Sequence, residues 1–398
     1  MRMDQTFFIL GRIPSISFTE LWQRYSVSSA AVQGISAQCA IIETSAQDAA
    51  NVLGGVPKAG SVVDVSETLS AEHLAAIIGE HATKTGKLHF GLSMYVMGKK
   101  VPNAQEQMRL GLSVKKVLKD AGRSVRYVES RQEALSSVDV VKNKLLGPGI
   151  ELCVFVLEHG FVIGKTTSVQ PFEQYSKRDY GRPGRDPKRG MLPPKLARSM
   201  VHFARASEGG LIADPFCGIG TVLQEAMLLG YKTIGTDIDE EAVRAAVENA
   251  AWLSEQEGVA AEENVEVLDA RNLTKRFAPD SFDAVVSELD LGPPLGGRES
   301  SQEVRQTESR LSGLYTESLS MIHTALKPQA RAVIAWPYFA GHDIYVSAFN
   351  DLSGIGFKLI EPYPEAYQQI LPLSDRGTLI YGRAGQQVFR EILILEKE

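Results

Sequence analysis

The sequence has few cysteines and no long hydrophobic run, and these two absences exclude several classes of protein. Its three cysteines, Cys39, Cys153 and Cys217, are far apart and form no CxxC pair, which argues against a disulfide framework and a cysteine-rich zinc site. No apolar stretch approaches the roughly 20 residues that a membrane helix needs. The apolar run at residues 7–10 is too short for the core of a signal peptide. We therefore expect a cytoplasmic protein with no membrane partner and no bound metal.

What the sequence does contain is an ordinary globular composition with an uneven distribution of charge. The 398 residues are 44% hydrophobic and 23% charged, which is typical of two or three folded domains. Residues 84–205 carry 23 basic and 10 acidic side chains, whereas residues 206–398 carry 15 and 30. This pattern favours an acidic catalytic or scaffold domain joined to a module that meets an anionic partner. Scattered charges on a solvated surface are the alternative interpretation.

Apolar periodicity divides the chain into four parts. Residues 1–65 are predicted to form a ferredoxin-like α/β domain, and residues 66–165 a second α/β domain. Its helix at 105–121 carries Met108, Leu112, Val117 and Leu118 on one apolar stripe. Residues 166–194 are rich in proline, glycine and charge, which predicts a linker or a long functional loop. The last part is residues 195–398.

In that last part, predicted strands and helices alternate. The strands are 210–214, 232–236, 264–268, 282–287 and 330–336, and the helices between them are 219–229, 239–254 and 307–326. Such alternation predicts an α/β fold with a doubly wound parallel sheet, that is, a Rossmann-like domain. The closing segments 377–382 and 388–395 are predicted to pair as antiparallel strands at an edge of the sheet.

The stretch LIADPFCGIGT at 211–221 carries the most chemical information. An apolar strand runs into Asp214, and a turn containing Gly218 and Gly220 then leads into a helix. Asp237 follows the second strand, where a carboxylate can bind ribose hydroxyls, and Asp269 follows the third, where it can meet an adenine amine. The predicted cofactor-binding residues are Asp214, Phe216, Gly218, Gly220, Thr221, Asp237, Ile238, Asp269 and Ala270. Because the spacing is not that of a dinucleotide fold, S-adenosylmethionine fits best. Cys217, within the turn, is predicted to be a small packing residue.

Together with IGTDID and LDAR, the string DPFCGIGT resembles the RNA-modifying branch of the class I S-adenosylmethionine-dependent methyltransferases. The string SKRDYGRPGRDPKRGMLPPKLARSMVHFA at 176–204 is similar to the tRNA guanosine-N2 methyltransferases that act on guanosine-10 in archaea and eukaryotes. Residues 6–21 and 381–395 resemble the start and the end of those enzymes, and residues 84–165 resemble their RNA-binding THUMP domain. The resemblance implies methyl transfer to the N2 amine of a guanosine, at position 10 of tRNA.

The family normally has Asp-Pro-Pro-Tyr after the fourth strand, and this chain departs from that motif. Residues 288–295 read Glu-Leu-Asp-Leu-Gly-Pro-Pro-Leu. Glu288 stands where the family has its acid, and it is our first candidate for holding the target amine; Asp290 is the second. The alternatives are a Glu288 that contacts only the cofactor and an Asp290 that caps the loop. In place of the missing tyrosine, Pro293, Leu295 or Tyr338 can provide the surface on which the base stacks.

Basic side chains in the middle of the chain are predicted to bind RNA phosphates. They are Arg109, Lys115, Lys116, Lys142 and Lys144 in the second domain and Arg178, Arg182, Arg185 and Lys188 in the linker. Solvated surface charge is the alternative for the first group, and internal ion pairs with Asp179 or Asp186 are the alternative for the second.

Two other functions stay open at this point. The altered motif can select another RNA base or position, or the chain can be a catalytically inactive RNA-binding scaffold. The sequence also leaves open whether one or two methyl groups are added and whether a small activating protein subunit takes part.

Overall fold

The computed structural model describes residues 5–46, 48–83, 86–130, 132–185, 191–259 and 264–398. The chain forms two compact units. The first contains residues 1–18, 27–173 and 369–371, and the second contains residues 19–26, 174–368 and 372–398.

The first unit is built on one eight-stranded sheet. Its strands are β1 (Gln5–Ile9), β2 (Val32–Ile35), β3 (Cys39–Glu43), β4 (Lys58–Ser66), β5 (Leu88–Val96), β6 (Val125–Val128), β7 (Ile150–Val156) and β8 (Phe161–Val169). They lie in the order β2-β3-β1-β4-β8-β7-β5-β6. The described strand pairs of this sheet are antiparallel except those that β5 makes with β6 and with β7, which are parallel. The predicted boundary after residue 65 falls near the end of β4, whose neighbours are β1 and β8.

The helices of this part of the chain are α1 (Pro14–Arg24), α2 (Ala49–Val52), α3 (Ala71–His81), α4 (Ala104–Asp120) and α5 (Ser137–Lys142). The C-terminal half of α1 belongs to the second unit.

The apolar stripe predicted for α4 is wrong in part. Met108 is 42% exposed and Leu112 is 41% exposed, whereas the buried positions are Gln107, Gly111, Val114 and Leu118. The helix packs through Gly111, because a side chain there would collide with the ring of Tyr127. Close approach at a glycine has rotated the helix away from its larger apolar residues.

The segment predicted to be a linker has regular structure in its described part. Its first four residues extend strand β8 to Val169. Helix α6 (Phe172–Ser176) and a π-helical turn (Lys177–Gly181) follow. The N-terminal part of this segment is thus more ordered than its proline and glycine content indicates.

The second unit is a doubly wound sheet, as the sequence predicts. Its strands are β9 (Leu211–Asp214), β10 (Lys232–Asp237), β11 (Val265–Val267), β12 (Phe282–Glu288), β13 (Leu326–Tyr338), β14 (Phe357–Leu359), β15 (Leu379–Tyr381) and β16 (Phe389–Lys397). The order is β11-β10-β9-β12-β13-β16-β14, with β15 also paired to β16. Strands β9 to β13 run parallel to one another.

The helices of this unit are α7 (Pro194–Phe203), α8 (Thr221–Leu228), α9 (Glu240–Glu257), α10 (Leu273–Arg276), α11 (Ser301–Ala325) and α12 (Leu352–Ile355). Leu311, Leu319 and Ile322 of α11 are buried in one hydrophobic core with residues of β12 and β13.

One prediction about this sheet is wrong. The antiparallel pairing predicted for 377–382 and 388–395 is found between β15 and β16. However, β16 is not an edge strand: it lies inside the sheet, antiparallel to β13 over eight residue pairs, with β14 and β15 on its other side. It was misplaced because β14 has only three residues, too few to give a recognisable apolar pattern.

Strand order reverses between β9 and β12, because the chain adds β10 and β11 on one side of β9 and then β12 on the other. Ligands bind to sheets of this kind in the crevice at such a reversal, outside the carboxyl ends of the strands.

Among the described residues, no helix has the length and apolar character needed to cross a membrane.

Candidate active site

The glycine turn follows β9 at the point of strand reversal. The φ angle is +50° at Gly218 and +84° at Gly220, a left-handed conformation that glycine adopts without a steric penalty. A Cβ atom added to Gly218 would have no heavy atom within 4 Å. The backbone of the turn is therefore open on this side, and a ligand can approach it closely.

Asp237, at the end of β10, is tied directly to that turn. One carboxylate oxygen accepts a hydrogen bond from the Gly218 amide at 2.8 Å, and the other accepts from the Asp239 amide at 3.0 Å. Ile238, the next residue, is 68% exposed. The structure thus brings together a carboxylate suited to hydroxyl groups and an exposed apolar side chain, and their role in a nucleoside crevice stays a prediction.

Asp269 lies after the third strand but already has a partner. Its two carboxylate oxygens accept hydrogen bonds from the guanidinium of Arg271, the shortest at 2.6 Å, and one accepts from the Arg271 amide. Hydrogen bonding to Arg271 lowers the pKa of Asp269. A ligand amine would have to compete with Arg271, a residue that the LDAR string already contains. Ala270 beside it is buried.

Asp214 is buried at the end of β9. Its carboxylate accepts hydrogen bonds from the Ser287 hydroxyl at 2.6 Å and from the Phe216 amide at 3.2 Å. Burial raises the pKa of Asp214 to about 8, and the two hydrogen bonds oppose that change only in part. This carboxyl group is therefore largely protonated at neutral pH. Sequence reasoning missed Ser287, which becomes a partner only because β12 lies beside β9.

Cys217, in the glycine turn, packs with Leu223 and Ala246 in a small apolar cluster. Burial raises the pKa of its thiol well above the ordinary value. The thiol is therefore protonated at neutral pH, and the nucleophilic thiolate does not form there.

Glu288 ends strand β12, next to Ser287, and lies at the same edge of the sheet as Asp214. Its Oε1 accepts a hydrogen bond from Nε of Arg390 on β16, and its side chain is 16% exposed. The sequence carries a signal for Arg390, because Arg390 and Glu391 interrupt the apolar run at 388–395. A charged pair in a buried strand indicates a partner or a function.

Asp290, the second candidate, takes part in holding the following loop. Its carboxylate accepts a hydrogen bond from the Gly292 amide at 2.9 Å and lies 3.9 Å from Arg310. Its backbone carbonyl accepts from the hydroxyl of Tyr315. These contacts match the alternative interpretation of Asp290 as a residue that caps the loop.

Two arginines predicted to bind RNA are buried instead. Nε of Arg178 donates to Glu225 on α8 at 2.7 Å, and Arg198 donates to the other oxygen of Glu225. Arg182 is 2% exposed and donates to the Thr221 hydroxyl and to Gln224. The prediction for Arg178 and Arg182 is wrong, because α8 supplies carboxylate, hydroxyl and amide oxygens that accept hydrogen bonds from these buried guanidinium groups. Nε of Arg182 has no hydrogen-bond partner among the described residues.

These and neighbouring hydrogen bonds connect the segment before α7 to the glycine turn and to the start of α8. Thr221 is the first residue of α8, so Arg182 holds the point where the turn becomes a helix. Asn249 of α9 donates to the carbonyl oxygens of Gly184 and Ile219, both at 2.8 Å. The segment before α7 thus helps to fix the shape of the turn.

The remaining predicted RNA-binding residues are exposed or outside the described residues. Arg185 is exposed, with its guanidinium 5.7 Å from the centre of the Tyr180 ring, and Lys188 lies outside the described residues. In the first unit, Arg109, Lys116, Lys142 and Lys144 are exposed, and Lys115 is partly exposed. None of those five has an ion-pair partner within the described part of the chain.

The second unit has parallel strands, a glycine turn after β9 and carboxylates at the ends of successive strands. This is the architecture of the class I methyltransferases. The crystal structure of TrmN from Thermus thermophilus has the same fold, with a TM-score of 0.54 and 17% identity over 99% of this chain and all of that one.

Sequence comparison defines the relationship more closely. Residues 183–339 match the family model described as RMKL-like, methyltransferase domain, and residues 82–248 match a DNA methylase model. The chain therefore contains a methyltransferase domain, as the sequence predicts.

Curated proteins similar to this chain include tRNA (guanine(10)-N2)-dimethyltransferases of archaea. The protein from Methanocaldococcus jannaschii is 29% identical over 204 residues, which is 49% of this chain and 55% of that protein. The protein from Pyrococcus abyssi is 32% identical over 179 residues, 45% of this chain and 46% of that protein. The predicted resemblance to the tRNA guanosine-N2 methyltransferases is confirmed, while a THUMP domain at 84–165 stays a prediction. The chain spans about half the length of the curated relatives it matches.

Proposed function

We propose that this chain transfers a methyl group from S-adenosylmethionine to the N2 amine of guanosine-10 in tRNA. The observation that carries the proposal is the position of Glu288. It is the last residue of β12, and β12 lies next to β9, the strand that leads into the glycine turn. The names of the archaeal relatives support the choice of tRNA and of guanine N2.

The residues at the carboxyl edge of the sheet fit an adenosine-bearing cofactor. The open backbone at Gly218 gives room for close approach, Asp237 offers carboxylate oxygens to ribose hydroxyls, and Ile238 offers an exposed apolar side chain to a ring. When bound, S-adenosylmethionine supplies a methyl group that its sulfonium has already activated.

Glu288 has two tasks in this reaction. The N2 amine of guanine is a poor nucleophile, because its lone pair is delocalised into the ring. By accepting N–H hydrogen bonds, Glu288 orients the amine and stabilises the positive charge that develops on nitrogen. As the carbon–nitrogen bond forms and the carbon–sulfur bond breaks, the nitrogen loses one proton, and the Glu288 carboxylate is placed to accept it.

We assign RNA binding to the first unit, with residues 66–165 as a THUMP-like module. The five basic side chains Arg109, Lys115, Lys116, Lys142 and Lys144 are available to phosphates there. A base inside a duplex must be flipped out to reach an active site, and a separate RNA-gripping module holds the RNA during that step. Since tRNA is the partner, the cytoplasm is the proposed location.

The test uses the purified full chain, S-adenosylmethionine and a tRNA transcript, followed by mass spectrometry of the nucleosides. We expect N2-methylguanosine or its dimethyl form, and no product from a transcript with adenosine at position 10. Transfer by the chain alone would dispense with a small activating subunit. Methylation of another nucleoside would overturn the guanosine-N2 assignment.

A second measurement separates an enzyme from an RNA-binding scaffold. Calorimetry with S-adenosylmethionine should show binding by both the unaltered protein and Glu288→Gln, whereas the rate of transfer by Glu288→Gln falls by about 100-fold or more. No binding of S-adenosylmethionine at millimolar concentration by the unaltered protein would leave only a scaffold.

A further inference from the structure

Glu288 does not stand alone at the sheet edge: it is paired with Arg390. The backbone of Arg390 lies between two neighbours, opposite Pro337 of β13 and Tyr381 of β15. The side chain of Arg390 is 10% exposed and that of Glu288 is 16% exposed. Both charged groups are therefore held by regular structure and partly shielded from water, which strengthens their interactions with a ligand.

The pair has hydrogen-bonding capacity left over. Only Nε of Arg390 is engaged, with Oε1 of Glu288. Within the described residues, no group accepts a hydrogen bond from either Nη atom of Arg390, and none donates to Oε2 of Glu288. An arginine has five N–H donors and a carboxylate has about four lone-pair positions. The pair therefore presents free acceptor sites beside free donors.

This arrangement matches one nucleobase in particular. Along its Watson–Crick edge guanine presents two donors, the N2 amine and N1–H, followed by one acceptor, O6. A carboxylate beside a guanidinium presents acceptors followed by donors, in the complementary order. Adenine offers one amine donor and the N1 acceptor, and cytosine offers one donor followed by two acceptors. Each can contact both partners, but neither supplies the two adjacent donors that a carboxylate can accept from guanine.

We propose that Glu288 and Arg390 together recognise guanine, with Glu288 accepting from N2 and N1–H and Arg390 donating to O6. This inference rests on the proposed function and adds the residue that selects the base. The same guanidinium keeps Glu288 in place, which compensates for the longer and more mobile side chain that glutamate has compared with aspartate. Such a site rejects a base that lacks the matching groups, because its own polar groups are then left unpaired.

The experiment is a cycle of two enzymes and two substrates. The substrates are tRNA with guanosine and tRNA with 2-aminopurine at the target position, since 2-aminopurine keeps the N2 amine but lacks O6 and N1–H. The enzymes are the unaltered protein and Arg390→Gln. The quantity measured is the ratio of kcat/KM for guanosine to kcat/KM for 2-aminopurine. We expect Arg390→Gln to lower that ratio by at least about tenfold, the usual effect of losing a hydrogen bond to a charged group.

The matched control is Arg331→Gln. Arg331 of β13 and Glu396 of β16 form a second arginine–glutamate pair in this sheet, with Nε and Oε2 3.6 Å apart. It lies at the other end of the sheet, so its loss should leave the guanosine preference unchanged. If Arg390→Gln does not fold, Arg390→Lys takes its place. A lysine offers one ammonium in place of the separate Nε and Nη donors of arginine, so we expect the ratio for Arg390→Lys to fall as well.

The outcomes separate the two proposals. A ratio that stays constant in Arg390→Gln, with both substrates slowed equally, overturns base recognition by Arg390 and leaves the methyltransferase assignment intact. No transfer to the guanosine tRNA by the unaltered protein overturns the proposed function, and base recognition fails with it.

Discussion

Asp214 is a carboxyl group whose charge depends on whether a cation lies beside it. Burial raises the pKa of Asp214 to about 8, and the hydrogen bonds from the Ser287 hydroxyl and the Phe216 amide oppose that rise only in part. A cationic ligand at the glycine turn would favour the ionised form and lower that pKa. Proton release and ligand binding are then coupled.

The affinity for S-adenosylmethionine should therefore increase with pH. Below pH 8 most of Asp214 is protonated, and a ligand that prefers the carboxylate must displace the proton. Kd is expected to fall by up to tenfold per pH unit between pH 6 and 8 and to level off above pH 8. Calorimetry across this range measures the change. In Asp214→Asn only the ligand's own titration remains, so an equally steep pH dependence in that variant would rule out Asp214 as its source.

At the residue scale the sequence identifies side chains at strand ends but not their partners. Asp214, Asp237, Asp269 and Glu288 could be placed because each directly follows an apolar strand. Ser287 and Arg390 could not, since their contacts join residues 73 and 102 positions apart. Such contacts depend on which strands are neighbours and on their register, and a single sequence does not give these directly.

At the scale of helices and strands, the sequence likewise predicts some features and not others. The doubly wound sheet follows from the alternation of apolar strands and helices. The start of α11 at Ser301 was missed, although Ser300 and Glu303 form a capping box that is legible in the sequence. The face of α4 could not be predicted from apolar spacing, because Gly111 decides it by allowing Tyr127 to approach.

Two helix glycines should respond oppositely to the same substitution. Gly79 in α3 has no heavy atom within 4 Å of an added Cβ, whereas at Gly111 in α4 the new atom would lie 2.6 Å from the Tyr127 hydroxyl oxygen. Gly79→Ala should raise the free energy of unfolding by about 0.5–1 kcal/mol, since alanine favours a helix. Gly111→Ala should lower it by about 1–3 kcal/mol through overpacking. Urea unfolding measures both, and stabilisation by Gly111→Ala would contradict this packing of α4.

The two roles considered for the arginines before α7, internal ion pairing and RNA binding, can be separated by measuring stability and tRNA affinity. Arg178→Ala removes one of the two guanidinium groups on the buried Glu225 carboxylate, and the free energy of unfolding should fall by about 3 kcal/mol. The exposed Arg185 is the control, because Arg185→Ala should change stability by less than about 0.5 kcal/mol. Urea unfolding gives the stabilities, and filter binding gives the affinity for tRNA. A stable Arg178→Ala protein with weakened tRNA binding would restore the role in RNA binding that the sequence predicts.

Across the whole molecule, the charge asymmetry read from the sequence coincides with the division into units only in part. Most of the basic stretch 84–205 lies in the first unit, but its C-terminal part belongs to the second, where Arg178, Arg182 and Arg198 are internal. Composition counts charges without showing which are buried. The domain boundary at 65 stays a prediction, since strand β4 links the parts of the sheet on either side of it.

The available basic residues of the first unit should control how tRNA binding depends on salt. Each phosphate contact releases condensed counterions, so the slope of log K against log salt falls by about 0.7–0.9 for every contact removed. Changing Arg109, Lys115, Lys116, Lys142 and Lys144 to Gln should weaken tRNA binding and flatten that slope, while the Kd for S-adenosylmethionine stays unchanged. A variant with Lys232, Lys275 and Lys358 of the acidic second unit changed to Gln is the control and should keep the slope. If the control loses as much of the slope as the test variant, phosphate binding belongs to the second unit, and the first unit has another partner.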